Sequence, residues 1–321
     1  MRAKNVLIIG QTTPDPHIER VSLHLRAMGA SPVLFDLSKH LIDLSLIDGK
    51  GSGYVVCDGQ NKIPFESVHS VWFRLKQWCD HGSEDAAVRS EVRFAWAEWM
   101  EILYSLQDYV APQHWVNGMA QNTRMSHKAV QHVLASQIGF RIPETAITND
   151  VNSVVDLFRR HPRVIYKPNK MPALSHLRAV FTTEIDLDTV RSSPEHIRMA
   201  PGIFQELIEK EYELRVTVVG QKVFAVRINS QSHDSTRIDW RRSQMRDGMY
   251  EATTLDPQLT ERILEFHRRA DLIYGAYDLI VSKSGEPVFL EVNPAGQWLW
   301  MEELLDLPIS KELAAQLVSD R

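Results

Sequence analysis

The sequence predicts an α/β chain of two or three packed units that ends in a domain of long antiparallel strands. Three observations carry that reading. Through about residue 110, short apolar runs alternate with residues at helical spacing, as in a small open sheet. From Phe204 onward the pattern changes to long strands joined by tight turns, interrupted by one helix from about 257 to 273. The length of 321 residues exceeds one small core, at roughly 100 to 200 residues per domain.

The elements follow in order. Asn5-Val6-Leu7-Ile8-Ile9-Gly10 reads as a buried strand, then a Pro-containing loop, then Ile18, Val21, Leu25 and Met28 at helical spacing, stopped by Gly29. Residues 32 to 37 give a second strand, 54 to 57 a third, and Val71-Trp72-Phe73-Arg74 a further one in the same open sheet. Val92, Trp96, Met100 and Leu103 share one helical face and predict core packing. Ala111-Pro112 closes this unit. A helix over 125 to 138 is stopped by Gly139, and Ile142-Pro143-Glu144-Thr145 leads into a new strand. Val164-Ile165-Tyr166-Lys167-Pro168 is a strand whose proline ends it at Lys167.

Composition excludes several classes. Hydrophobic residues make up 44% and charged residues 24%, ordinary values for a folded protein, and the formal net charge of -5 argues against duplex nucleic acid as a partner. No stretch approaches the ~20 apolar residues of a membrane span and the N-terminus lacks a signal-like apolar run, so a cytoplasmic protein is expected. Cys57 and Cys79 form no CxxC or Cys/His cluster and are read as reduced thiols. The first strand is not followed by GxGxxG, and no GxxxxGK[ST] occurs anywhere, so neither a dinucleotide fingerprint nor a P-loop is present.

The richest stretch runs from Ala276 to Pro294. Two alternating apolar runs flank Lys283-Ser284-Gly285-Glu286, which predicts a hairpin. With Ser284 and Gly285 as the two turn residues, Ile280 falls opposite Phe289 and Asp278 opposite Glu291. Paired carboxylates repel unless a cation lies between them, and the strand period puts Asn293 on the same face. Three oxygen donors then suit Mg²⁺. The competing reading, a solvated strand face, is disfavoured because Ile280 and Phe289 on that face are apolar. On this reading, removing one carboxylate should leave the metal-free protein equally or more stable.

A nucleotide site without a P-loop needs dispersed cations, and Lys128, Lys167 and Arg215 stand at an element start, a strand end and within a strand. Glu213 and Arg215 share one strand face; a carboxylate can accept from ribose hydroxyls and a guanidinium can grip phosphate.

In this order Lys128, Lys167-Pro168, Gln205-Glu206-Leu207-Ile208, Glu213-Leu214-Arg215, Asp278 and Glu291-Val292-Asn293-Pro294 resemble the ATP-grasp superfamily from about residue 113 to the end. Phe289-Leu290-Glu291-Val292-Asn293-Pro294-Ala295-Gly296-Gln297-Trp298-Leu299-Trp300, with residues 141 to 150, 213 to 220 and Asp239-Trp240-Arg241, looks like the signature of the graspetide (microviridin-type) peptide ligases. The resemblance implies an ATP-grasp fold: an N-terminal pre-ATP-grasp α/β domain over 1–112, a central subdomain over 113–200 and a C-terminal antiparallel-sheet subdomain over 201–321. It also implies ATP and Mg²⁺ as cofactors. Lys128 and Lys167 would contact phosphates, Gln205 to Ile208 would form the adenine hinge, and Glu213 would hold ribose. Arg215 would hold the γ-phosphate, and Asp278, Glu291 and Asn293 the metal. Lys167 and Arg215 would serve the chemistry directly.

The implied reaction is attack of a carboxylate on the γ-phosphate, giving an acyl phosphate and ADP, followed by displacement of phosphate by a nucleophile. In the graspetide reading, the carboxylate is an Asp or Glu side chain of a ribosomal precursor peptide, and a Ser/Thr hydroxyl or Lys amine of that peptide closes an ester or amide ring. A homodimer is compatible with it. Arg74, Asp239, Arg241 and Arg242 are candidates for gripping the acidic acceptor. The alternative keeps the fold but joins a free amino acid or small acid, as in RimK-like ligases.

Overall fold

The computed structural model describes residues 3–11, 15–47, 50–57, 61–75, 86–110, 115–169, 182–232, 236–238, 240 and 248–320. Among them the strands form four sheets. No helix among the described residues is long and apolar enough to cross a membrane.

The N-terminal part runs β1 (Asn5–Gly10), α1 (Pro16–Ala27), β2 (Ser31–Asp36), β3 (Leu41–Ile47), β4 (Lys50–Cys57), β5 (Asn61–Pro64), β6 (Val68–Phe73), α2 (Ala86–Ser105) and β7 (Trp115–Val116). Its main sheet is parallel, in the order β2-β1-β6-β7. The unbroken apolar run of β1 follows from burial on both faces. Val6 and Ile8 face Ile18, Val21 and Leu25 of α1, whereas Leu7 and Ile9 face the side that holds Leu103 of α2. Met28 stands at the α1 C-cap, 39% exposed, outside the expected buried stripe. Residues 54 to 57 do not join this sheet either. They belong to β4 in a separate antiparallel sheet, β3-β4-β5, because consecutive strands joined by short connections pair with each other.

Then come α3 (Met119–Arg124), α4 (Lys128–Ile138), β8 (Thr145–Thr148), α5 (Val151–Arg160), β9 (Val164–Lys167), β10 (Thr183–Ile185), α6 (Leu187–Ser192), α7 (Pro194–Met199) and β11 (Gly202–Glu206). The expected helix over 125 to 138 is therefore confined to 128 to 138, closed by Gly139 at φ 89. β8 to β11 make an antiparallel sheet in the order β10-β9-β11-β8, on which α5 buries Val154 and Leu157 against Val164 and Phe204. β7 thus joins the N-terminal sheet from beyond residue 112, and β11 joins the central sheet from beyond residue 200.

The last part contains β12 (Lys210–Val219), β13 (Lys222–Ile228), β14 (Tyr250–Thr253), α8 (Pro257–Arg269), β15 (Tyr274–Ser282), β16 (Pro287–Asn293), α9 (Leu299–Leu305) and α10 (Ile309–Val318). The strands pair antiparallel as β14-β13-β12-β15-β16. One face buries Leu214, Val216, Tyr277 and Phe289 against α4 and α8. The other carries Arg215 and Asp278, and its apolar end meets Trp298 and α10, which returns to pack on α1.

The β15–β16 hairpin corrects the expected register. The turn spans three residues, with Gly285 N donating to Ser282 O at 2.8 Å, Ser282 N donating to Glu286 O at 3.0 Å and Gly285 at φ 83. Leu279 therefore pairs with Phe289 and Ile280 with Val288, while a bulge between Asp278 and Leu279 restores the expected pairing of Asp278 with Glu291. Phe289 consequently lies in the core with Phe266 and not on the carboxylate face, and the bulge lets Val292 stay inward as well.

Candidate active site

A cavity of about 1030 Å³ is lined from the β10-β9-β11-β8 sheet, the β14-β13-β12-β15-β16 sheet and α4. Lys128, Lys167, Gln205, Glu206, Leu207, Ile208, Glu213, Asp278, Glu291 and Asn293 all line it. Arg215 sits immediately behind, because the register pairs it with Asp278 across β12 and β15.

Several charges in the cavity are paired with opposite charges. Arg215 Nη1 donates to Asp278 Oδ1 at 2.9 Å and Nη2 to Gln297 O at 3.1 Å, while Nε is buried without a hydrogen-bond partner. Burial alone would lower the Arg215 pKa, but the charge and hydrogen bond of Asp278, together with the other neighbours of Arg215, outweigh it and hold the guanidinium above its ordinary value. Lys128, in the first turn of α4, places Nζ 2.9 Å from Glu291 Oε2. Lys167 ends β9 beside Pro168 and donates from Nζ to Gln205 Oε1 at 2.9 Å; Gln205 Nε2 in turn donates to Thr145 Oγ1 at 2.7 Å. Lys210 donates to Glu213 Oε1 at 2.7 Å and to Ile238 O at 3.0 Å. Burial pushes the Glu213 carboxyl pKa up despite that partner. Sequence reasoning passed over Lys210, although a Lys-x-x-Glu spacing at the head of an apolar strand was the available signal.

The segment 205–208 is pinned from both sides. Glu206 N donates to Glu144 O at 3.0 Å, Glu206 Oε1 accepts from Glu144 N at 2.9 Å, and Leu207 N donates to Arg163 O at 2.9 Å. Asn293 is exposed, and its Oδ1 accepts from Ala295 N at 2.9 Å, which leaves that oxygen a second lone pair. Among the described residues, no group of three or more His, Cys, Asp or Glu side chains could hold a metal; the candidate set here is two carboxylates and an amide.

Arg74 departs from its expected place at an acceptor. It is 4% exposed, lies outside the cavity lining, and donates from Nη1 to Ala295 O at 2.7 Å and to Gly296 O at 3.3 Å. Its Nε lies 3.5 Å from Asp15 Oδ2. β6 ends under the loop that follows Asn293, so Nη1 is spent on that loop, while Nε and Nη2 are buried without a hydrogen-bond partner. Burial alone would raise the Asp15 pKa, but the His17 hydrogen bond and the Arg74 charge hold it well below the usual carboxylate range. The loop is packed tightly: a β-carbon on Gly296 would stand 2.5 Å from Ala276 Cβ and 2.9 Å from Arg215 Nη2. Tyr274, its phenol pushed up to about 12 by burial, donates to Gly296 O at 2.9 Å. Asp239, Arg241, Arg242 and Cys79 lie outside the described residues, and Cys57 is a buried thiol.

A family model described as a RimK-like ATP-grasp domain matches residues 126–317, more than half of the chain. The chain belongs to the RimK-like ATP-grasp family. It is an ATP-grasp ligase by that membership. A search of the curated proteins finds no match. Solved structures similar to this ATP-grasp chain over its whole length include a Chryseobacterium gregarium RiPP-associated ATP-grasp ligase in complex with ADP and a leader and core peptide. That structure is 27% identical with a TM-score of 0.84, covering 99% of this chain and 98% of that one. The macrocyclase MdnC from Microcystis aeruginosa MRC, bound with precursor peptide MdnA, is 27% identical with a TM-score of 0.83, covering 98% of this chain and 100% of that one. The macrocyclase MdnB from the same source is 27% identical with a TM-score of 0.76, covering 99% and 100%.

Proposed function

We propose that the chain uses ATP and Mg²⁺ in the cytoplasm to activate Asp or Glu side chains of a ribosomal precursor peptide, and closes them onto Ser/Thr hydroxyls or Lys amines of the same peptide as esters or amides. The observation that carries this reading is the cavity that gathers Lys128, Lys167, Asp278, Glu291 and Asn293 in front of Arg215. The peptide substrate is supported by full-length likeness to a ligase and a macrocyclase that each hold a peptide, which favours it over a free amino acid.

A peptide carboxylate oxygen attacks the γ-phosphorus, ADP leaves, and a hydroxyl or amine of the peptide then displaces phosphate from the acyl phosphate. Arg215, Lys128 and Lys167 orient the phosphates and offset the charge that develops on them. The pinned segment 205–208 receives the adenine, and Glu213 the ribose. The donor set of Asp278, Glu291 and Asn293 is hard oxygen throughout, which fits Mg²⁺. When bound, the metal neutralises phosphate charge.

The test is incubation with ATP, Mg²⁺ and a short peptide rich in Thr/Ser and Asp/Glu encoded beside this chain. The expected product is the peptide less whole waters, with ADP and phosphate released. AMP and pyrophosphate, or a peptide that gains mass from an added amino acid, would overturn the reading.

A further inference from the structure

We propose that Gln131 is a positioning residue for the metal strand: from α4 it stands in for the missing outer neighbour of β16 and holds Glu291 and Asn293 at the spacing their cation requires. This rests on the reading of Asp278, Glu291 and Asn293 as metal ligands.

β16 is the outer strand of its sheet, and along its outer row of backbone groups the backbone neighbour is the isolated bridge of Arg141 with Val288, where Phe289 N donates to Arg141 O at 2.9 Å; beyond the bulge, no strand among the described residues continues it. Val292 lies between the two ligands. Its N donates to Gln131 Oε1 at 2.9 Å, and its O accepts from Gln131 Nε2 at 2.8 Å. One side-chain amide thus reproduces both bonds that a neighbouring strand would make. Gln131 Nε2 also donates to Met125 O at 2.6 Å, which uses both amide protons and fixes which way the amide points. On either side, Leu290 O lies 3.0 Å from His132 Nε2 and Pro294 O accepts from Asn117 Nδ2 at 3.0 Å.

The side chains involved share one helical face. Lys128, Gln131 and His132 stand at i, i+3 and i+4 on α4, and Lys128 reaches the Glu291 carboxylate itself. A rigid helix therefore sets the distance between a phosphate-side cation and the metal-side carboxylate. The bulge makes such a device necessary, because opposite Asp278 the regular ladder of β15 and β16 is broken and the sheet alone fixes the register less firmly.

The inference is tested by titrating Mg²⁺ in saturating ADP, read by thermal melting and by calorimetric titration. The proteins compared are the parent, Gln131→Met, Gln131→Ala, Glu291→Gln and Leu134→Ala. Gln131→Met should need about tenfold more Mg²⁺ for half-maximal stabilisation, the lower end of what losing support around a metal site costs. Gln131→Ala, whose gap opens to the cavity and admits water, should shift in the same direction and keeps the test alive if the Met variant does not fold. Leu134→Ala removes a buried core residue of the same helix and should lower the melting temperature with the Mg²⁺ requirement unchanged. Gln131 variants with the parent's requirement, or an equal shift from Leu134→Ala, would overturn the positioning role. A parent with no Mg²⁺-dependent stabilisation, or Glu291→Gln retaining it, would instead bring down the metal site and the inference with it.

Discussion

Asp278→Asn separates what the sequence expects from what the structure shows. From paired carboxylates alone, loss of one charge should leave the metal-free protein equally or more stable. The structure gives Asp278 a cationic partner, Arg215, in a hydrogen-bonded pair at 2.9 Å with side chains only 18% and 10% exposed. At an effective dielectric of about 20 and charge centres about 4 Å apart, the attraction is roughly 4 kcal/mol. The neutral amide still accepts a hydrogen bond worth about 1 kcal/mol, and Arg215 keeps Gln297 O, so the net loss should be about 2 to 3 kcal/mol. The melting temperature of the metal- and nucleotide-free protein should then fall by roughly 5 °C or more. Scanning calorimetry without and with Mg²⁺ and ADP reads both the ion pair and the proposed metal role of the residue. The fall should be accompanied by loss of ligand stabilisation, which for a parent at 100 times its dissociation constant is about 2.7 kcal/mol. An unchanged or higher melting temperature would refute the ion-pair argument, and a fall with ligand stabilisation intact would remove Asp278 from the metal site. Glu291→Gln should cost the apo protein under about 1 kcal/mol, since its pair with Lys128 is about a fifth exposed.

Arg74→Ala should lower the apo melting temperature and kcat together, at a cost of about 3 kcal/mol, because it releases two loop carbonyls and strips buried Asp15 of a charge partner. An unchanged melting temperature with a raised KM for peptide would return Arg74 to the acceptor. Burial lowers His267 from 6.5 to about 4, so between those values the unfolded chain binds more protons and stability must rise with pH. Denaturant titrations of His267→Gln should lack a contribution of about 3 kcal/mol that the parent loses as pH falls from 6.5 to 4; equal slopes in the two proteins would contradict this.

What the sequence made legible was local. Asp278, Glu291 and Asn293 stand in one hairpin, Lys167 is marked by the proline after it, and Glu213 and Arg215 are two apart in one strand, so each could be read from spacing. What it hid was non-local. Nothing in either strand announces that β12 pairs with β15 and sets Arg215 against Asp278, because that pairing spans α8 and two other strands. The bulge at Leu290 was hidden for a different reason. A one-residue slip flips every later side chain, and only packing of both Phe289 and Val292 into one core decides where the slip is taken up. Arg74 shows the limit on function: its residue type suits an acceptor, yet the fold brings the post-Asn293 loop over it.

The two ion pairs also bear on how ligands would enter. Charges drawn out of water are tolerated when compensated, and in the structure Asp278 is compensated by Arg215 and the partly exposed Glu291 by Lys128. On the proposed reading, the bound state exchanges partners: the carboxylates turn to the metal and the cations to the phosphates. Every charge then keeps an opposite neighbour throughout. Either ligand alone breaks that balance, because Mg²⁺ would draw the carboxylates off and leave Arg215 and Lys128 bare, and nucleotide without metal would do the reverse. Mg²⁺ and ADP should therefore bind as a pair, each tightening the other by a coupling of about 1 to 3 kcal/mol, or roughly 5- to 150-fold in affinity. Calorimetric titrations of each ligand in the absence and presence of the other measure this coupling, and by reciprocity the two factors must agree. In Arg215→Ala and Lys128→Ala the coupling should shrink, since Asp278 or Glu291 then enters the metal site without a partner to surrender. Full coupling in both variants would show that the exchange of partners is not what links the two ligands.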